Sequence, residues 1–269
     1  METILQQRKF GNYDGISVII PVLDEEENVS ILLQQFLDIE SDRRFKRIKE
    51  IIFIDDGSSD GTVNRIFSFS TRFKNIRLNV IMRRTKNGTV DAQLCGIKSA
   101  SYENVIVMDG DLQHPVDSLP DIIEKFERNY DVVIASRYLR GGRARREPFN
   151  GLKSRIAAFM AKIIIPSARE LTDPISGFFM FNRNIMDCNV EIKNANKLLL
   201  LVLAKTSGVS IGEVPFQFSE RVNGNSKVAA GFKKYIVRYA RELKEYRKLI
   251  KQGFESQPNK SKLAEQTHQ

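Results

Sequence analysis

A chain of 269 residues that is 42% hydrophobic and 28% charged has the length and the apolar content for one large or two small folded domains, and its composition excludes a wholly disordered chain. A formal net charge of +9 points to an anionic partner such as nucleic acid, nucleotide or acidic lipid. Two isolated cysteines, Cys95 and Cys188, and only 2 histidines argue against a disulfide framework or a zinc centre, so a reducing cytoplasm is the expected compartment.

Residues 1–15 read as an N-terminal extension without the apolar core of a signal peptide. Short apolar runs then alternate with helical spacing. Residues 16–21 (ISVIIP), 50–54 (EIIFI), 76–82, 104–108 (NVIVM) and 131–135 (DVVIA) predict buried strands. Residues 28–39, a stretch from about 62, 87–101 and 117–129 predict the helices between them. Fully apolar strands alternating with helices imply an α/β fold with a mostly parallel sheet covered on both faces. Ligands of such sheets bind at the carboxyl ends of the strands. Beyond residue 138 a Gly- and Arg-rich loop leads to helical stretches at 149–165 and 194–206 and extended ones at 178–181 and 209–218. The longest apolar run, residues 198–204, is far short of the ~18 residues of a membrane span.

Acidic motifs stand where the first, second and fourth of these strands finish. They are Asp24-Glu25-Glu26-Glu27-Asn28, then residues 55–62 (DDGSSDGT), then Asp109-Gly110-Asp111. In a parallel sheet these ends lie side by side, so the carboxylates converge in one crevice. Mutual repulsion makes such a cluster costly unless a cation sits among them. Oxygen ligands favour Mg²⁺ or Mn²⁺, and Mg²⁺ usually shares its shell with substrate phosphates. Residues 56–61 imitate the start of a calcium loop, but Phe67 stands at the position where that loop needs glutamate.

VIIPVLDEEENV, IIFIDDGSSDGT and VIVMDGDLQHP resemble the motifs of family 2 glycosyltransferases with the GT-A fold. DLQHP at 111–115, ASRY at 135–138, DPISGFFMF at 173–181 and FSERVNGNSK at 218–227 resemble the dolichyl-phosphate mannose synthase and polyprenyl-phosphate glycosyltransferase branch. The likeness implies a GT-A domain over residues 16–227 and a nucleotide-sugar donor. It implies that Pro21, Asp24 and Glu26 line the base and ribose pocket, with Asp56 near the base edge. It makes Asp109 and Asp111 the metal-binding pair and Gln113 a third contact, with His114 in a supporting role.

Arg137, Arg140, Arg143, Arg145, Arg146, Lys153 and Arg155 crowd one stretch that follows a strand end. With few interleaved aromatics it is a poor platform for nucleic-acid bases, whereas arginine forks suit phosphate. The resemblance implies that Arg137, either Arg145 or Arg146, Ser154, Arg221 and Lys227 serve an acceptor phosphate. Such an acceptor has a second pKa of ~6, so it is largely dianionic and needs no general base. Were the acceptor a sugar hydroxyl, Asp173 would be the candidate base.

The expected enzyme is thus an inverting hexosyltransferase acting on a polyprenyl (dolichyl or undecaprenyl) phosphate, with glycosylation of a sugar hydroxyl in cell-envelope glycan as the alternative. Residues 228–252 predict a basic amphipathic helix with Phe232, Ile236, Tyr239, Leu243 and Tyr246 along one face. That pattern suits either an anionic membrane surface on the cytoplasmic side or packing on the domain, on a second copy or on an anchoring partner protein. Residues 253–269 read as a disordered tail.

Overall fold

In the strands, residues facing one way feed one core and their neighbours feed the other, as the twofold alternation of a strand requires. Val18, Ile20 and Val22 of the first strand join one apolar cluster, and Ile19 joins the other. Burial on both faces is why these strands read as continuous apolar runs. The computed structural model describes residues 15–84, 87–144, 148–190, 192, 195–206, 208–218 and 232–255.

The strands are β1 (Ile16–Val22), β2 (Ile48–Asp55), β3 (Arg77–Met82), β4 (Asn104–Val107), β5 (Val132–Ser136), β6 (Arg143–Ala144), β7 (Phe179–Asn182), β8 (Ile211–Pro215) and β9 (Gln217–Phe218). The helices are α1 (Glu26–Ile39), α2 (Thr62–Phe69), α3 (Thr89–Ser99), α4 (Leu119–Phe126), α5 (Pro148–Ile164), α6 (Leu198–Lys205) and α7 (Phe232–Glu255). A seven-stranded sheet has the order β3-β2-β1-β4-β7-β5-β8, and β6 pairs with β9 outside it. The basic loop after β5 therefore contains a short strand that its composition does not announce.

All pairings in the large sheet are parallel except those of β7, which runs antiparallel to β4 and β5. This one reversal decides what reaches the site. Val107, at the end of β4, pairs with Phe179, at the start of β7. The segment entering β7, including Asp173, Ser176 and Gly177, therefore reaches the same edge as the segments leaving β1, β2, β4 and β5. Ser136 pairs with Pro215 at the ends of β5 and β8, which brings Phe216 and Phe218 to that edge as well.

α6 is buried from Leu198 to Ala204. A helix apolar on all sides has to be enclosed, and α3 and α7 are among the helices that pack on it. The Tyr239, Leu243 and Tyr246 part of the α7 stripe is thus committed to the protein, and the side chain of Phe232 lies outside what the structure describes. Tyr239, Leu243 and Tyr246 are buried, and the Tyr239 hydroxyl donates to the Ala157 carbonyl at 3.0 Å. This corrects the reading in which that face meets a bilayer. Glu242 and Tyr246 of the same helix hold the backbone of residues 196–197. Leu243→Ala should cost about 3 kcal/mol through lost burial and a cavity. Urea unfolding checks this, and a loss under about 1 kcal/mol would mean that α7 does not dock as described.

Candidate active site

The turn after β1 and the turn after β2 are laced together by their own carboxylates. Asp24 Oδ1 accepts from the Ser59 amide at 2.7 Å, and the Asp24 amide donates to Ser58 Oγ at 2.8 Å. Glu26 Oε2 accepts from the Gly61 amide at 3.2 Å, and Asp60 Oδ2 accepts from the Glu26 amide at 3.2 Å. Asp55 accepts from the amides of Gly57 and Ser58. Asp56 pairs with Arg83 at 2.9 Å, and the same guanidinium bonds Asp91 at the start of α3. Pro21, Asp24, Glu26 and Asp56 thus stand together at the edge formed by β1 and β2. Arg83, just beyond β3, is a member of this group that no motif announced.

After β4 the chain makes the Asp109-Gly110-Asp111 turn. A side chain on Gly110 would begin 2.9 Å from Val22 Cγ1, so only glycine lets this turn lie against β1. Leu112 takes a left-handed conformation with φ 65°, and Asp111 Oδ1 accepts from the Gln113 amide at 3.2 Å. His114 is buried, stacked on Phe178 with ring centroids 5.0 Å apart, and its Nδ1 accepts from the Asp109 amide at 2.9 Å. Burial, opposed by the charge of Asp111, lowers its pKa to about 4. A neutral imidazole that accepts at Nδ1 carries its proton on Nε2. His114 therefore shapes the turn, as expected of a supporting residue. Gly177 completes the fit, since a Cβ there would sit 3.3 Å from Asp109 Oδ2 and 3.3 Å from the His114 ring.

Arg137 leaves the end of β5 and is forked onto Asp173. Nε and Nη2 donate to the two carboxylate oxygens at 2.7 and 2.8 Å, and the Arg137 amide adds a third bond at 3.2 Å. Asp173 is fully buried. Its own amide and that of Thr172 donate to Glu213 of β8. The guanidinium lies 5.3 Å from the ring centroids of both Tyr138 and Phe218. Burial works against its charge, but the bonds and charge of Asp173 outweigh that and raise its pKa. Ser154 of α5 is within hydrogen-bond distance of the Tyr138 hydroxyl at 3.1 Å.

Asp109, Gln113, His114 and Arg137 line one cavity of about 240 Å³, together with Gly177, Lys197 and Phe218. Asp111, in the same turn as His114, is buried and does not line this cavity. A cavity of about 220 Å³ at the opposite end of the sheet, lined by Ile16, Asn104 and Asp131, lies away from every acidic motif. Lys197 was not foreseen. Burial lowers its pKa, with the charge of Arg137 adding to the effect and Asp109 and Glu242 opposing it. Arg145, Arg146, Arg221 and Lys227 lie outside the described residues.

Among the described residues, no three His, Cys, Asp or Glu side chains form a group able to hold a metal by themselves. The donors at the β4 turn are oxygens: Asp109, Asp111 and Gln113. That set fits a hard cation whose remaining ligands come from a diphosphate, and it does not fit a closed structural site.

Residues 17–189, more than half of the 269, match the family model Glycosyl transferase family 2. The chain is 34% identical over 231 residues to a dolichol-phosphate mannosyltransferase of Pyrococcus furiosus, covering 85% of this chain and 62% of that protein. It is 32% identical over 238 residues to a dolichol-phosphate mannosyltransferase of Saccharomyces cerevisiae, covering 85% of each. It is 28% identical over 220 residues to an undecaprenyl-phosphate 4-deoxy-4-formamido-L-arabinose transferase of Proteus mirabilis, covering 81% of this chain and 64% of that protein. In structure it resembles glucosyl-3-phosphoglycerate synthase from Mycobacterium tuberculosis, solved with Mn²⁺, UDP and glucosyl-3-phosphoglycerate. The TM-score is 0.64 at 18% identity, over 86% of this chain and 80% of that one. The fold is GT-A, and the chain belongs to glycosyl transferase family 2. It is a glycosyltransferase.

The Arg137–Asp173 pair supplies a direct test of the site's construction. Breaking a buried pair leaves an uncompensated charge, so Asp173→Asn should cost about 3 kcal/mol in urea unfolding. Combining it with Arg137→Met should cost less than the sum of the single losses, because the stranded charge goes too. Additive losses would show that the two side chains do not depend on each other.

Proposed function

We propose that this enzyme transfers a hexose from a UDP- or GDP-sugar to a polyprenyl phosphate at the cytoplasmic membrane face, with inversion and with Mg²⁺ or Mn²⁺. One observation carries the reading: a single cavity joins two oxygen donors of the β4 turn, Asp109 and Gln113, to a buried, Asp173-anchored arginine. The names of the relatives support a polyprenyl-phosphate acceptor, and the UDP- and Mn²⁺-bound neighbours support the donor and the metal.

In this reading Pro21, Asp24, Glu26 and Asp56 bind and orient the nucleoside at the β1–β2 edge. Asp109, Asp111 and Gln113 would hold the divalent cation, which supplies Lewis-acid stabilisation of the departing diphosphate. Arg137, fixed by Asp173, orients the acceptor phosphate, with Ser154 and the arginines and lysine at 145, 146, 221 and 227 in the same service. A phosphate oxygen attacks the anomeric carbon in line, the bond to the nucleoside diphosphate breaks, and no proton has to be removed. Glycosylation of a sugar hydroxyl is disfavoured because its candidate base, Asp173, is buried and accepts three bonds from Arg137.

No described helix is long and apolar enough to cross a membrane. With the α7 stripe internal, attachment to an anionic bilayer falls to other groups. Phe159 and Ile163 of α5 are exposed, and Arg241, Lys244, Arg247 and Lys248 form the outer face of α7. A second copy or an anchoring partner protein is the other route to the membrane.

The test incubates the protein and Mn²⁺ with radiolabelled GDP-mannose or UDP-glucose and with vesicles containing dolichyl or undecaprenyl phosphate. Label should enter the organic phase as a glycosyl phosphate of inverted anomeric configuration. Excess chelator, or Asp111→Asn in a folded protein, should lower the rate at least ~100-fold. A water-soluble disaccharide product, or full turnover in chelator, would refute the proposal.

A further inference from the structure

The described cavity contains one polar group that folding does not explain. Gln93 of α3 is 3% exposed and lines the cavity, and its Oε1 has no hydrogen-bond partner among the described residues. A buried acceptor without a donor costs about 1–3 kcal/mol. A leucine of similar size would avoid that cost, so a ligand is the natural source of the missing donor.

Its surroundings indicate which ligand. The sheet order puts β4, β7 and β5 on the side of β1 away from β2 and β3. The cavity draws Asp109, Gly177 and Arg137 from that side, whereas Asp24, Glu26 and Asp56 do not line it. It therefore adjoins the metal turn, and Gln93 enters it from α3, the helix that packs on β1 and β2. Asn196 and Lys197 also line it. Their backbone amides both donate to Glu242 Oε1 at 2.8 Å, and Tyr246 donates to the Lys197 carbonyl at 3.0 Å. α7 thereby fixes this wall. A phosphate dianion has no proton to offer Oε1, and a hydroxyl has one.

We propose that Gln93 is a specificity-determining residue that accepts a hydrogen bond from one ring hydroxyl of the donor hexose, with Lys197 facing the same sugar from the wall that α7 holds. This rests on the donor reading above and adds where the sugar, as distinct from its nucleotide, is recognised.

Calorimetry with Mn²⁺ separates the two claims. The probes are GDP, GDP-mannose, UDP and UDP-glucose, on the native protein and on Gln93→Leu. Gln93→Leu should bind the free nucleoside diphosphate within about twofold of the native protein and the matching sugar nucleotide about 10-fold more weakly. Its Tm should rise by about 2–4 °C, because an unsatisfied buried acceptor is gone. Among monodeoxy analogues of the sugar, one should bind the native protein about 10-fold more weakly than its parent and bind Gln93→Leu no worse than the parent does. Equal weakening of nucleoside diphosphate and sugar nucleotide, unchanged affinity for both, or a lowered Tm would overturn the assignment. If the native protein binds none of the four probes, the donor reading fails and this inference falls with it. Binding of the nucleoside diphosphates without any sugar-dependent difference overturns the inference alone.

Discussion

Carboxylates repel one another, and this fold gathers Asp24, Asp55, Asp56, Asp109, Asp111 and Asp173 along one edge of a sheet. How that repulsion is balanced determines the rest of the site. Asp24 and Asp55 are answered by backbone amides, Asp56 by Arg83, and Asp173 by the fork of Arg137. Each balance also joins two elements that are distant in sequence. The Arg137–Asp173 pair ties the end of β5 to the segment entering β7, and Glu213 ties that segment to β8. At Asp109 and Asp111 the proposed function adds a divalent cation and the diphosphate that it shares. The architecture and the chemistry therefore answer the same electrostatic requirement.

Two helices that supply none of the proposed nucleotide-binding residues shape the side of the cavity formed by residues 196–198. α6 is enclosed because it is apolar all round, and its N-terminal approach, residues 195–197, is carried to the cavity by that burial. Glu242 and Tyr246 of α7 then fix the approach through its backbone. α7 in this way holds the cavity wall in place without lining it.

Much of this was legible in the sequence because its signals are local. Apolar runs ending in acidic turns gave the strands, the sheet and the edge where those turns gather, and Asp109, Asp111 and Asp56 stood in motifs that name their neighbourhood. The direction of β7 was not legible, since Phe179-Met180-Phe181 reads the same parallel or antiparallel, yet that reversal is what delivers Gly177 to the cavity and Asp173 to Arg137. Arg83, Gln93 and Lys197 belong to no motif. The place of Arg83 follows from the end of β3, and those of Gln93 and Lys197 from how α3 and α6 pack, which periodicity does not fix. The stripe of α7 was ambiguous for a physical reason: a bilayer and a protein core ask for the same spacing of apolar residues. The buried partners of Tyr239 and Tyr246 distinguish the two.

The central claim is that the β4 turn offers an incomplete set of oxygen ligands that a nucleoside diphosphate completes. Mn²⁺ titration followed by electron paramagnetic resonance, with and without GDP or UDP, tests it most directly. Binding linkage requires the two ligands to help each other equally. The account predicts that saturating nucleoside diphosphate tightens Mn²⁺ binding by at least ~10-fold beyond Mn²⁺ association with the free nucleotide, and that Asp109→Asn removes the gain. Mn²⁺ affinity that is indifferent to the nucleotide, or a gain that survives in Asp109→Asn, would contradict it.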